Sequence, residues 1–368
     1  MKTIIRFAVF TATAGLLHAA AFTSGNLAIL QAAASANNTT ASIVEINTTT
    51  AGQAAVQTIA IPDGASVGNG LRFSGSATST GYLSSSADRT LLTFNGANSS
   101  TTASNVNTLN PRGVGTLNNA GTYALQTTYT GTSGQQTRSS TTLNGTDWFI
   151  ADQGGLYTNA GTLATATLNG RGIKAFGGTV YVGQASATVT TIAVSTVSNF
   201  TGGTITGLNG LTNNASFQDF YLTSSGTNGS AFDILYTVSA TSNTAGSIAK
   251  FSLVSGTTWT ANGSYTTTFG GFGIAATSTI GGADLYVTTG QGALTANSVI
   301  KLSDTAGFNS AITINTGSNT TLFTAPTGTI LKGIEFAPTS AIPEPSSYAA
   351  IFGALALAGA ALRRRSRK

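Results

Sequence analysis

Between residues 22 and 340 the apolar positions do not recur at the spacing of a buried helix face. They come in short runs of five to eight residues, rich in β-branched and aromatic side chains, separated by clusters of Gly, Asn, Ser and Thr. This pattern predicts an all-β fold. The runs also pair: Phe232 to Val238, a polar turn, then Gly246 to Leu253; Ala283 to Val287, a turn, then Asn297 to Leu302. Weaker copies are Thr146 to Asp152 with Gly155 to Tyr157, and Gly178 to Val182 with Thr188 to Val194.

Ahead of each pair stands a strand with its own mark: a basic or aromatic residue, a glycine, then a branched aliphatic. The copies are Arg171-Gly172-Ile173, Phe272-Gly273-Ile274 and Lys332-Gly333-Ile334, with Arg112-Gly113-Val114 as a partial one. A fourth strand follows the pair, as at Thr258 to Thr267. Four antiparallel strands recurring every 35 to 60 residues are the pattern of propeller blades, each packing an apolar face on the next. Leu331 to Ala337 has no strand after it, while Gly25 to Leu30, Ser42 to Asn47 and Val56 to Ile61 have none before them. Joined, these four make one blade that closes the ring and leaves no open edge. The expectation is a single β-propeller of six to seven four-stranded blades, the seventh placed in the irregular stretch from Asn199 to Asn214.

The two ends follow a different pattern. Lys2 and Arg6 precede an apolar stretch from Ala8 to Leu17, followed by small residues at Ala19, Ala20 and Ala21, the order of a cleaved secretory signal helix over residues 1–21. At the other end, residues 341–368 hold Pro343, Glu344 and Pro345, an uncharged run from Tyr348 to Leu362, and Arg363, Arg364, Arg365, Arg367 and Lys368. Two prolines fix φ and remove two donors, so the triplet should be extended and open to a processing enzyme. The hydrophobic helix expected after it is short of the ~20 residues that span a bilayer comfortably, with the basic cluster as its membrane stop.

Removing both ends changes the charge argument. The chain carries a formal net charge of +5, but the body from 22 to 340 holds nine bases against ten acids. The basic excess therefore belongs to the ends and points to no nucleic-acid partner. The one histidine, His18, lies in the signal, and there is no cysteine. A mature chain without either cannot build a Ser-His-Asp or Cys-His site, a zinc site with nitrogen or sulfur ligands, a haem or an iron–sulfur cluster. No cofactor is expected.

With its triplet, hydrophobic segment and Arg cluster, the C-terminus resembles the PEP-CTERM sorting tail of Gram-negative bacteria. The resemblance implies export, recognition and processing by an exosortase, transient membrane insertion, and a destination at the outer surface or in the extracellular matrix. The segments GNLAIL, QTIAIP, GYLSSSADRTLLTFNG, DWFIADQGGLY, FDILYTVSATSNTAGSIAKFSL and LKGIEFAP further resemble, in order, a family of secreted bacterial β-propeller proteins that often carry such tails.

In a propeller the innermost strands line a channel, and the loops that lead into them form a functional face. Arg112, Arg171 and Lys332 are expected to start inner strands, and Arg138 is a candidate for another. Their cations would clamp a carboxylate or sulfate of an acidic glycan, or else pair with Asp147, Asp152, Asp219 or Asp233. Asp147 with Asp152, or Asp219 with Asp233 or Asp284, are candidate acid–base pairs, which need carboxyls roughly 5–9 Å apart. Trp148, Tyr157, Trp259 and Tyr265 would stack on sugars if exposed and fill the core if not. The loops from Ala97 to Asn110 and from Thr127 to Ser140 are polar enough to hydrogen-bond a glycan or simply to be solvated. The reading is a non-catalytic glycan- or protein-binding component of the envelope or its exopolysaccharide matrix. The alternative is a polysaccharide hydrolase or lyase acting through channel carboxylates.

Overall fold

The computed structural model describes residues 20–159, 163–165, 168–185, 194–197, 205–211, 214–227 and 232–341. Residues 1–19 of the expected signal, the Pro343-Glu344-Pro345 triplet, the apolar run after it and the basic cluster lie outside the described residues. Within them the chain is all-β and forms a propeller.

Six four-stranded antiparallel sheets are present. From the centre outward, the first holds β24 (Thr329–Phe336), β1 (Leu27–Ala33), β2 (Ala41–Ile46) and β3 (Gln57–Ala60). The second holds β4 (Ser84–Ser85), β5 (Leu91–Ala97), β6 (Arg112–Asn118) and β7 (Tyr123–Tyr129). The third is β8 (Thr137–Thr142), β9 (Trp148–Asp152), β10 (Gly155–Tyr157) and β11 (Leu163–Thr165). The fourth is β12 (Gly170–Phe176), β13 (Thr179–Gln184), β14 (Val194–Val197) and β15 (Ile205–Gly207). The fifth is β16 (Phe217–Thr223), β17 (Ile234–Ser242), β18 (Ala245–Ser255) and β19 (Thr258–Thr267). The sixth is β20 (Gly271–Thr279), β21 (Gly282–Thr289), β22 (Ser298–Asp304) and β23 (Thr320–Thr324).

Each innermost strand packs on that of the next sheet in chain order, and β24 lies between β20 and β4. The last strand of the chain thus completes the first sheet, with Leu27 opposite Phe336 and Ala33 opposite Thr329. Apolar faces fill the layers between sheets. Leu30, Ile43, Leu71 and Phe94 lie between the first and second, Val114, Trp148 and Ile150 between the second and third, and Phe149, Ile173 and Val182 between the third and fourth. Each such side chain contributes roughly 1.5–3 kcal/mol by leaving water.

The mark on the inner strands has a steric cause. A Cβ on Gly333 would stand 2.3 Å from the Leu83 nitrogen and 2.6 Å from the Gly81 oxygen. On Gly273 it would meet the Ile334 nitrogen at 3.1 Å and the Gly333 Cα at 3.2 Å, and on Gly172 the Asp219 Oδ1 at 2.5 Å. At Gly333 and Gly273 the neighbouring inner-strand backbone leaves no room for a side chain, and at Gly172 the space is taken by the Asp219 side chain. The aliphatic that follows, Ile173, Ile274 or Ile334, is fully buried in the layer between sheets.

Two placements differ from the sequence expectation. Arg112 does not start an inner strand: it opens β6, the third strand of its sheet, because the short β4 and then β5 come first. The stretch from Asn199 to Asn214 contributes β15, the outermost strand of the fourth sheet.

Candidate functional site

The residues at the N-terminal ends of the inner strands converge on the axis. Tyr82 precedes β4, Arg138 lies on β8, Arg171 on β12, Gln218 on β16, Phe272 on β20 and Lys332 on β24. Arg171 donates from Nη1 to Tyr82 Oη at 3.0 Å and to Gln218 Oε1, while Tyr82 Oη donates to the same Gln218 oxygen at 3.1 Å. The Tyr82 and Phe272 rings stack with centroids 4.6 Å apart. Lys332 Nζ sits 5.7 Å from the Phe272 centroid and donates to the carbonyls of Ala77 at 2.6 Å and Gly292 at 2.5 Å. Arg138 donates to Gly170 O at 3.0 Å and to Asn169 Oδ1 at 3.2 Å. Six side chains from six sheets thus fill the channel at this end.

One level deeper lies a second polar group. Lys174 Nζ stands 3.2 Å from Asp219 Oδ2 and 3.6 Å from Glu335 Oε2, and 5.1 Å from the centroid of the Tyr221 ring. Tyr221 donates its hydroxyl to Glu335 Oε1 at 2.9 Å, and Asp219 Oδ2 accepts from the Ile274 amide at 3.2 Å. Asp219 takes the place the glycine holds in neighbouring strands, so its carboxylate enters the space between β12 and β20. Burial pushes its pKa up to about 6, against the opposing pull of Lys174. Burial likewise pushes Lys332 down to about 7 and Arg138 down to about 10.

The other candidates divide between structural partners and core. Arg112, with no exposed surface, holds Asp152 Oδ2 at 2.6 Å and three carbonyls, those of Asn107, Thr132 and Gln135. The channel-mouth role expected of it is therefore not available. Asp147 accepts from Asn144 Nδ2 at 2.7 Å, and Asp233 accepts from Ser225. Asp284 pairs with Lys301 at 2.8 Å. The two carboxylates brought to one lysine are Asp219 and Glu335, and Glu335 is not among the residues singled out in the sequence. Trp148, Tyr157 and Trp259 are buried. Among the described residues no three acidic side chains gather as a metal site would require.

At the opposite mouth of the channel the C-terminal ends of β16, β20 and β24 enclose a cleft of about 360 Å³. Its polar lining includes Arg89, Thr223, Ser224, Thr277 and Ser278; Phe232 and Phe336 supply ring surface. Arg89 belongs to the turn between β4 and β5. All nine basic residues of the body are described, and Arg89 is the exposed one; among the described residues no acid forms an ion pair with it. Tyr221 and Glu335, one level into the channel, act on it electrostatically and raise its pKa. The turn is fixed at both flanks. Asp88 Oδ1 accepts from Ser86 Oγ at 2.6 Å and from the Thr90 amide at 3.1 Å, and the Arg89 carbonyl accepts from the Thr339 amide at 2.9 Å. Thr223 is 4% exposed, and its Oγ1 has no hydrogen-bond partner. No sequence signal marked Arg89, since it sits in an ordinary polar turn, SSADRT.

Compared with known proteins, the chain matches no protein-family profile and no curated protein.

Proposed function

We propose that this is an exported, surface-sorted propeller in which each of the six sheets is a blade, serving as a non-catalytic glycan-binding component of the cell envelope or its exopolysaccharide matrix. The observation that carries this reading is the channel, whose inner-strand side chains are engaged with one another and with backbone carbonyls rather than open to a substrate. The ends agree with it. The first strand of the chain starts, and its last strand finishes, at the same end of the first sheet, where Leu27 faces Phe336. A sorting tail following residue 341 would leave from that end of the body. Its partners on this reading are the exosortase during export and an exopolysaccharide or envelope protein afterwards.

The enzyme alternative has less support. Asp219 and Glu335 are the carboxylates that share one channel lysine, but they are 0% and 2% exposed and that lysine holds both. A hydrolase needs one carboxylic acid and one carboxylate facing a sugar.

The test mixes the full-length chain with exopolysaccharide from the producing cells, followed by co-sedimentation and by assays for new reducing ends and unsaturated sugars. Co-sedimentation without new ends is the expected result. New ends would replace this reading with the enzyme.

A further inference from the structure

We infer that the cleft beside Arg89 is a subsite for a carboxylated sugar, a uronate unit within an acidic polysaccharide. This rests on the reading of the protein as a glycan binder and assigns that binding to a place other than the channel cations.

Three observations carry it. Arg89 is the exposed cation of the body and lacks an acidic partner among the described residues, whereas Arg138, Arg171 and Lys332, which also lack one, are committed to carbonyls, Tyr82 and Gln218. A guanidinium without a partner presents a fork of donors that matches a carboxylate. Second, Thr223 Oγ1 is buried against the cleft wall without a hydrogen-bond partner, a state that costs about 1–3 kcal/mol unless something polar arrives. Third, the lining suits a pyranose better than a small inorganic anion. Ser224, Thr277 and Ser278, the last already donating to the Ser224 carbonyl, share the lining with the ring of Phe232, so the cleft offers both hydroxyls for sugar hydroxyls and ring surface for a C–H face. A phosphate site would offer converging amides or several cations, and this cleft has one cation.

The test titrates the full-length chain with trigalacturonate, and with maltotriose as the uncharged counterpart, at two salt concentrations. Wild type is expected to bind trigalacturonate at least tenfold more tightly than maltotriose, and to lose part of that affinity at higher salt. Arg89→Gln should weaken trigalacturonate binding tenfold or more, Arg89→Lys severalfold because charge remains without the fork, and Thr223→Val severalfold. Lys301→Gln removes an equal charge from the Asp284 pair and should leave binding unchanged. Near-ultraviolet circular dichroism of each variant confirms that the fold is kept. Equal binding by wild type and Arg89→Gln, or an equal loss in Lys301→Gln, would overturn the assignment. If wild type sediments with the cells' exopolysaccharide yet ignores trigalacturonate, this subsite is wrong and glycan binding stands. Should it bind neither, both fail.

Discussion

The two mouths of the channel hold the same chemistry in opposite states. At the N-terminal ends of the inner strands, Arg138, Arg171 and Lys332 are drawn inward and their terminal nitrogens meet carbonyls, a phenol and an amide, while Nε of Arg138 and of Arg171 is buried without a partner among the described residues. At the C-terminal ends, Arg89 is carried on a turn, faces a cleft, and has no ion-pair partner among the described residues. A cation inside a propeller is therefore not by itself a sign of a ligand, because the ring of strands supplies carbonyls and aromatic faces that hold its terminal nitrogens. A cation left over after that satisfaction is the informative one. The comparison predicts that removing an inner cation damages stability, and that removing Arg89 damages binding.

The largest effect should come from the most enclosed pair. Arg112 and Asp152 have no exposed side-chain surface, and Tyr129 donates to the same carboxylate oxygen at 2.9 Å. Arg112→Ala leaves a buried carboxylate without its partner and three carbonyls without theirs, a loss of about 3–5 kcal/mol. Urea unfolding should show the drop, while Arg89→Ala, at an exposed position, should shift the midpoint far less. Equal losses in the two variants would dissolve the contrast.

Next comes the packing that brings the strands together. Gly333→Ala puts a methyl 2.3 Å from the Leu83 nitrogen, where backbone rather than a flexible side chain must yield. The expected cost is about 1–3 kcal/mol, read as a lower melting temperature. Gly25→Ala gives a control of another kind: there the added methyl meets nothing within 4 Å and φ of +85° is the obstacle.

The strands and the glycine mark were legible in the sequence because both are local. Runs of apolar residues between polar turns give β21 and β22, and the Trp259 and Tyr265 segment coincides with β19. The mark found β12, β20 and β24. It missed β16, where Asp219 stands at the glycine level; β8, where Ser139 follows Arg138, lacks the glycine but was reached through Arg138 as a further inner-strand candidate; and it misplaced Arg112, whose Gly113 yields to Leu71 and Leu125 side chains on a third strand. The candidate sites were less legible because they depend on register across the ring. Tyr82, Gln218 and Arg171 meet from three separate sheets, and Lys174 joins Asp219 to Glu335 across the channel. Arg89 is held by Thr339, 250 residues later, and no local pattern encodes that.

A pH series sharpens the comparison between the filled mouth and the polar group one level deeper. Asp219 has its pKa raised to about 6, so the folded state holds a proton that the unfolded chain releases near the ordinary carboxylate value of 3.8. Its stabilising contribution is present at low pH and is lost as pH rises toward 6. Lys332 is lowered to about 7 from 10.5, so its contribution is present above 10.5 and is lost as pH falls through 7. The two slopes have opposite sign and together predict a minimum in stability between pH 6 and 7. At about 1.4 kcal/mol for each tenfold change in proton affinity, the contributions are on the order of 3 kcal/mol for Asp219 and on the order of 5 kcal/mol for Lys332. Melting curves should lose the acidic slope in Asp219→Asn and the basic one in Lys332→Met. Unchanged slopes would mean that these groups titrate as they do in the unfolded chain.

The smallest expected effect is the one that separates the two mouths most cleanly. Arg89 has φ of +60°, a left-handed backbone that asparagine or glycine adopts at less cost than arginine. Its turn is otherwise well supported, by Asp88 from within and by Thr339 from the C-terminal segment, so the strain is held in place rather than relieved. Arg89→Asn should therefore keep the turn and raise stability by up to about 1 kcal/mol, while removing the guanidinium from the cleft. The inner cations allow no such gain, since each of their side chains ends on a buried partner. A rise in melting temperature together with weaker trigalacturonate binding would show that the cleft retains its arginine against the interest of the fold. A fall in melting temperature would instead make Arg89 one more structural cation, and the difference between the two mouths would vanish.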